Sequence, residues 1–282
     1  EFRRVLVRSF KNGLHFGVTA SVADDKTEVT KWTYNTKIPS YGATGWWDKS
    51  AYKEGMVLGD IWGLQFDRFL TEDDFNADGS LKAGLPDQTK VFPAGYQFAP
   101  GDVLYKDLDN NGEIVKQTNT NDKGDLSVIG NALPRLQFGL NLDAAWKGFD
   151  ISMFFQGVAK RKLWAAGNQV LPGFTTGEPF YKGAEDYWTP ENTDAFYPRP
   201  MDYKQSASGN YSVNDRYLLN MAYLRLKTFT VGYSLPKVWL SKFKVQGLRV
   251  YFTGENLFTI DGVNPAIDPE IGIRTASGKS DQ

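Results

Sequence analysis

Leu136-Gln137-Phe138-Gly139-Leu140-Asn141-Leu142-Asp143-Ala144 alternates apolar and polar without a break and runs into Trp146-Lys147-Gly148. A second alternating run starts at once, with Phe149, Ile151, Met153 and Phe155 interleaved with the polar Asp150, Ser152 and Gln156. A period of two on both sides of a minimal turn predicts a β-hairpin. Strands of nine or so residues are long enough to cross a tilted bilayer thickness. A soluble sheet with one face on a core alternates in the same way, so the pattern alone leaves both readings open.

Working outward, the same arrangement recurs twice. Residues 2–10 and 14–22 read as strands joined by Lys11-Asn12-Gly13, whose Asn-Gly pair tolerates the positive φ of a tight hairpin. Residues 221–234 and 247–256 form the third pair, with a short helix predicted to begin at Pro236 in their connection. Six crossings with three short turns at one end send residues 25–135, 158–220 and 257–282 to the other end. Short turns at one end and long loops at the other are the asymmetry of an outer-membrane barrel. Residues 59–70 also alternate, but a seventh crossing breaks the antiparallel count, so they are placed in an extracellular hairpin.

One strand changes parity: Leu224 and Leu226 are followed by Phe229, Val231 and Tyr233. Either a bulge lies near Lys227, or only the Phe229–Tyr233 end lies in lipid, with Arg225 and Lys227 above it in water. The second is preferred, because a lipid-facing Arg or Lys near the midplane costs about 2–4 kcal/mol. Six strands cannot close a lumen, and an open edge is not tolerated in lipid, so the sheet is expected to be part of a larger barrel.

Composition narrows the function classes. The 32 basic and 33 acidic residues balance, which removes a bulk field for nucleic acid. There are no cysteines, and no apolar run long enough for a transmembrane helix. Glu1-Phe2-Arg3-Arg4 does not lead an apolar segment, so any export signal is expected upstream. Gly-x-Ser-x-Gly, phosphate-loop and zinc spacings are missing, and no catalytic residue is assigned. His15 is the one histidine and reads as a lumen-facing polar residue.

Two groups of residues are candidates for binding. Asp107, Asp109, Asn111 and Gly112 match the opening of a calcium loop, with oxygen ligands at alternate positions and then a glycine bend. Thr118 stands where an EF-hand has glutamate, so Asp125 or Asp122 must close the shell, and Glu113 offers its carbonyl. The competing reading is an Asp/Asn/Gly turn held by its own hydrogen bonds. Trp46, Trp47, Tyr41 and Tyr52 share one loop, and Tyr187 and Trp188 another. Their rings suit stacking on sugars or peptide side chains, or else pack the loops together or meet a lid protein. Trp46, Trp47 and Trp188 are taken as substrate-binding. The acidic run Glu72-Asp73-Asp74 reads as solvated turn.

An ordered series of motifs resembles the C-terminal third of SusC/RagA-type TonB-dependent outer-membrane transporters. The series runs from Gly101-Asp102-Val103 and Asp107–Ile114 through Phe138-Gly139-Leu140, Lys147-Gly148-Phe149-Asp150 and Phe155-Gln156-Gly157. It continues with Tyr187–Asn192, Tyr223–Lys227, Gly232–Pro236 and Gly254–Phe258. The resemblance implies an all-β chain, an antiparallel segment of a barrel of about 22 strands with long extracellular loops. It also implies TonB-driven import of oligosaccharides or peptides and a SusD-like surface lipoprotein as lid. Against the family pattern, the plug domain and the final strand are expected to be absent from residues 1–282. Two rivals remain: a secreted β-rich carbohydrate-binding module, with Leu136–Leu142 packed on a second sheet, and a glycoside hydrolase, for which no carboxylate pair stands out.

Overall fold

The computed structural model describes residues 2–32, 54–116, 123–165, 167, 169–174, 181–201, 209–242, 244–263 and 267–271. Among these the strands are, in chain order, β1 (Phe2–Ser9), β2 (His15–Ala23), β3 (Asp60–Gly63), β4 (Phe66–Phe69), β5 (Val103–Tyr105), β6 (Ser127–Asn131), β7 (Arg135–Trp146), β8 (Phe149–Lys160), β9 (Lys162–Leu163), β10 (Leu219–Asn220), β11 (Tyr223–Ser234) and β12 (Arg249–Asp261). A short helix, α1 (Lys237–Ser241), follows Pro236. Chain contacts divide the protein into two compact units.

The first unit is one six-stranded antiparallel meander in the order β1-β2-β7-β8-β11-β12. The three expected hairpins are present, and all six expected strands occur. β12 runs five residues further than its periodicity predicted, to Asp261. Directly paired residues share a face, so the register sorts the side chains. Val18 pairs Leu142, which pairs Met153, which pairs Phe229. Phe16, Val22, Phe138, Leu140, Ile151, Phe155, Val231 and Phe252 fall on the same face. The opposite face carries Thr19, Asn141, Asp143, Ser152, Thr230 and Thr253, and there Ser152 Oγ donates to Asp143 Oδ1 at 2.7 Å. His15 also lies on the polar face, its Nδ1 2.8 Å from Ser9 Oγ.

The parity change is a bulge, which corrects the preferred reading. Both pairings of β11 shift register between Leu226 and Thr228. Leu224 and Leu226 therefore pair Gly157 and Phe155, while Phe229 and Val231 pair Met153 and Ile151, and all stay on the apolar face. Arg225 is not stationed in water above lipid. It pairs Gln156 on the polar face, and its Nε donates to Thr259 Oγ1 at 2.7 Å. One inserted residue thus keeps Leu224, Leu226, Phe229, Val231 and Tyr233 of β11 on one side.

The second unit gathers residues 27–133, 162–220 and 263–282. Its core contains Leu64, Phe69, Val91, Phe92, Val103, Tyr105, Ile114, Leu126 and Trp188. Residues 59–70 lie outside the meander, as the antiparallel count requires, but they do not form a hairpin of their own. The run divides at Leu64–Gln65, β3 pairs β6, and β4 pairs β5. Arg216 clips this core: its guanidinium lies 4.3 Å from the Phe66 ring, 5.0 Å from Phe69 and 5.3 Å from Phe196. The acidic run 72–74 is a 3-10 turn. Asp74 is not solvated there, because Arg68 grips it with both terminal guanidinium nitrogens, at 2.6 and 2.8 Å.

Candidate functional site

Tyr187 and Trp188 are neighbours in extended backbone, so their side chains leave in opposite directions. Trp188 N–H donates to Tyr197 O and Tyr197 N–H to Asp186 O, each at 3.0 Å. Thr189 and Asn192 close the turn between them with reciprocal backbone bonds. Trp188 turns inward, 7% exposed, against Gly101. Gly101 has φ +90°, and a Cβ there would stand 2.5 Å from the indole, which requires glycine twice over. An indole so enclosed has no free face for a ligand. The structure places Trp188 in the core of the second unit and not among the stacking surfaces, the packing role weighed for it above. Trp46 and Trp47 lie outside the described residues, as do Tyr41 and Tyr52.

Tyr187 turns the other way, into a cavity of about 600 Å³ in the same unit. Tyr181, Tyr197, Tyr211, Pro198 and Met201 also line it, and Lys182 and Glu185 bring the two charges of the lining. Its size is that of a small-ligand site, and its composition suits flat apolar surfaces such as a sugar ring or a peptide side chain. Tyr181 and Tyr187 are exposed, whereas Tyr197 and Tyr211 are buried walls. Tyr197 Oη donates to Val170 O at 3.0 Å, and its ring stacks on Tyr217.

A buried carboxylate fixes the cavity wall. Asp102 is fully enclosed and accepts from Arg199 Nε (2.8 Å), Tyr96 Oη (2.8 Å), Asn210 Nδ2 (3.0 Å) and Ala99 N–H (2.9 Å). Arg199 lies between the cavity residues Pro198 and Pro200, and Asn210 precedes Tyr211. One carboxylate, distant from both in sequence, therefore ties together two segments that line the cavity. Nothing in the spacing of Asp102, Arg199 and Asn210 marked this, since Asp102 lies about a hundred residues from each of the other two and such a separation has no local signature.

The acidic loop forms a second candidate site. Asp107, Asp109 and Asp125 bring carboxylate oxygens within 4.8 Å of one another. Two oxygens on opposite sides of one calcium ion stand about 5 Å apart, so this spacing fits a shared cation. Gly112 N–H donates to Asp107 (2.7 Å), and Glu113 N–H donates to Asn111 Oδ1 (2.8 Å). Asp125 is buried and accepts from Leu108 and Val115 N–H at 2.8 and 2.7 Å. Desolvation raises the Asp109 carboxyl above its ordinary range, helped by the like charges of Asp125 and Asp107. The Glu113 side chain is engaged by Lys90, which leaves its backbone carbonyl as the expected ligand. Asp122 lies outside the described residues.

Comparison with known proteins bears out the resemblance carried by the motifs. No family model matches the chain. It is 29% identical over 228 residues to TonB-dependent receptor P3 of Formosa agariphila, covering 79% of this chain and 19% of that protein. It is 24% identical over 210 residues to TonB-dependent receptor SusC of Bacteroides thetaiotaomicron, covering 71% of this chain and 20% of SusC. The fold matches a structure of the RagAB peptide transporter with a TM-score of 0.65 at 17% identity, over 97% of this chain and 26% of that one. The chain thus spans about a fifth of the length of these curated relatives.

Proposed function

Because the chain is a homologue of TonB-dependent receptors, SusC among them, and folds as an antiparallel barrel segment, we propose that it is the C-terminal barrel portion of an outer-membrane nutrient importer. The parent protein takes up oligomers, glycan or peptide, across the outer membrane of a diderm bacterium. The TonB complex supplies the energy, and a SusD-like surface lipoprotein closes over the substrate. The mechanism is capture and gated passage, with no covalent step. One observation carries this reading: from β2 to β12 a single six-stranded meander keeps most of its aliphatic side chains on one face and most of its polar ones on the other. Among the described residues of that unit no second sheet exists on which Leu136, Phe138, Leu140 and Leu142 could pack, which disfavours a secreted carbohydrate-binding module.

Substrate enters this proposal through the cavity at Tyr181, Tyr187 and Tyr197, with Trp46 and Trp47 as further candidates. The test is growth of a strain lacking the intact gene on glycans or peptides as sole nutrient, with the wild-type gene or a Tyr181→Ala/Tyr187→Ala double variant restored. Loss of growth on one oligomer class, rescued by wild type and weakly by the variant, is expected. Full rescue by the variant would remove the cavity from the path, and normal growth of the deletion strain on every oligomer would refute import.

We also propose that the acidic loop holds calcium, through Asp107, Asp109, Asn111 and Asp125 side chains and the Glu113 carbonyl. The ion would neutralise three crowded carboxylates and stiffen the segment that packs Ile114 into the core. Chelation should accelerate hydrogen exchange at Leu108, Gly112 and Val115, with recovery on adding calcium. Unchanged exchange would refute it.

A further inference from the structure

The three connections at one end of the meander are rich in lysine and contain no carboxylate. Lys11 lies in the first turn, Lys147 in the second, and Lys237, Lys242 and Lys244 in the connection around α1. No Asp or Glu occurs in residues 10–14, 147–148 or 235–248, in a chain whose total charge is nearly balanced. The acid that lies nearest in β8, Asp150, is engaged by Arg249 at 3.0 Å. These lysines are exposed.

The apolar face runs into this same end. Trp146 pairs Phe149, Phe149 pairs Tyr233, and Tyr233 pairs Val250, so all four form one row. The Phe149 and Tyr233 rings lie 4.4 Å apart. Beyond the row, α1 exposes Val238 (75%) and Trp239 (58%) while burying Leu240. Cations sit on the turn aromatics: Lys147 Nζ is 4.7 Å from the Trp146 ring, and Arg8 is 5.0 Å from Phe10. An apolar band, then exposed tryptophans, then unopposed ammonium groups matches the sequence of environments from acyl chain to phosphate.

We propose that this end is a docking rim selective for anionic phospholipid headgroups. Lys147, Lys237, Lys242 and Lys244 engage the phosphates, and Trp146, Val238 and Trp239 sit at the acyl–headgroup boundary. Charge complementarity calls for an anionic occupant. Continuity of the rim with the apolar face selects a lipid layer over an acidic protein, which would leave Trp239 and Val238 half in water. The proposal rests on the apolar face being lipid-facing.

The test uses the intact native protein in bilayer nanodiscs of an equimolar phosphatidylcholine and phosphatidylglycerol mixture. Lipids retained by the protein on release are counted by native mass spectrometry. A lysine beside a headgroup should enrich phosphatidylglycerol about fivefold over bulk, less at high salt. The Lys147→Gln/Lys237→Gln/Lys242→Gln/Lys244→Gln variant should lose this enrichment. A charge-matched variant with glutamine at Lys31, Lys82, Lys106 and Lys123 should keep it. Equal enrichment in both variants, or none in the wild type, overturns the rim while leaving the barrel intact. Failure to insert into bilayers of either composition, with or without phosphatidylglycerol, would overturn the lipid-facing reading, and the rim with it.

Discussion

Replacing Asp102 with alanine should loosen the cavity wall without touching the cavity itself. The carboxylate is fully buried and accepts from Arg199, Tyr96, Asn210 and Ala99. Its loss strands the Arg199 guanidinium, three-quarters enclosed, and takes an acceptor from three further donors. Breaking a buried pair by removing one partner costs about 3–5 kcal/mol, and water reaching Tyr96 and Asn210 through the new void offsets some of it. A local cost of about 4 kcal/mol is a thousandfold in an equilibrium constant. Hydrogen exchange in the intact protein reads it directly, at Arg199 N–H, bonded to Gly101 O, and Val103 N–H, bonded to Asn210 Oδ1. Both amides should exchange up to about a thousandfold faster, while amides in the meander hold their rates. Arg199→Met alone should cost about 2 kcal/mol, since Asp102 keeps three neutral donors. Asp102→Leu with Arg199→Met should cost at least about 2 kcal/mol less than the two single costs together, because an apolar pair of similar volume replaces a buried ion pair well. Additive single costs, or acceleration under tenfold in Asp102→Ala, would refute the claim that this carboxylate organises the wall.

Three further outcomes follow from the geometry. A Cβ at Gly157 would stand 2.4 Å from both the Phe138 ring and Tyr223 O, so Gly157→Ala should cost about 1–3 kcal/mol, read as a smaller heat-modifiable fraction on unboiled gels. Leu140→Arg puts a cation on the apolar face and should impair insertion of the parent by about 2–4 kcal/mol, and normal insertion would sink the lipid-facing assignment. Arg68 holds the Asp74 carboxyl down to about 2, chiefly through its hydrogen bonds. A depressed carboxyl stabilises above its ordinary value of about 4 and loses that contribution as pH falls towards 2. Protection of Thr71 N–H, which donates to Asp74 at 2.7 Å, should therefore fade across that window in the wild type and be weak throughout in Asp74→Asn.

The meander was legible because its information is local. A period of two names the face, a minimal turn names the partner, and antiparallel counting forces the ends. The bulge at Lys227 was visible as a parity change, but choosing between bulge and water needed β8 opposite, where Phe155 and Phe154 oppose Leu226 and Thr228. The second unit was far less legible. Its strands are two to five residues long, and partners such as β4 and β5 are separated by more than thirty residues. So the run 59–70 announced extended backbone without saying what it pairs with. Trp188 shows the same limit at the level of one side chain: an aromatic in a loop carries no mark of whether its face meets solvent or a glycine.

The motifs that carry the family resemblance turn out to be contacts between motifs. Gly157 of Phe155-Gln156-Gly157 lies against Phe138 of Phe138-Gly139-Leu140. Gly232 of Gly232–Pro236 leaves room for Arg249, which crosses it to reach Asp150 of Lys147–Asp150. Tyr223–Lys227 and Gly254–Phe258 face each other where the register slips, with Asn256 at φ 50° taking up the extra length. Gly101 and Trp188 join the two motifs of the second unit that are furthest apart. In the Gly157–Phe138 and Gly101–Trp188 pairs a residue without a side chain admits a large one from the partner, so neither motif can change alone. The cavity residues Tyr181, Lys182, Glu185 and Met201 fall outside such pairs, which leaves that wall free to vary while the framework that positions it stays fixed.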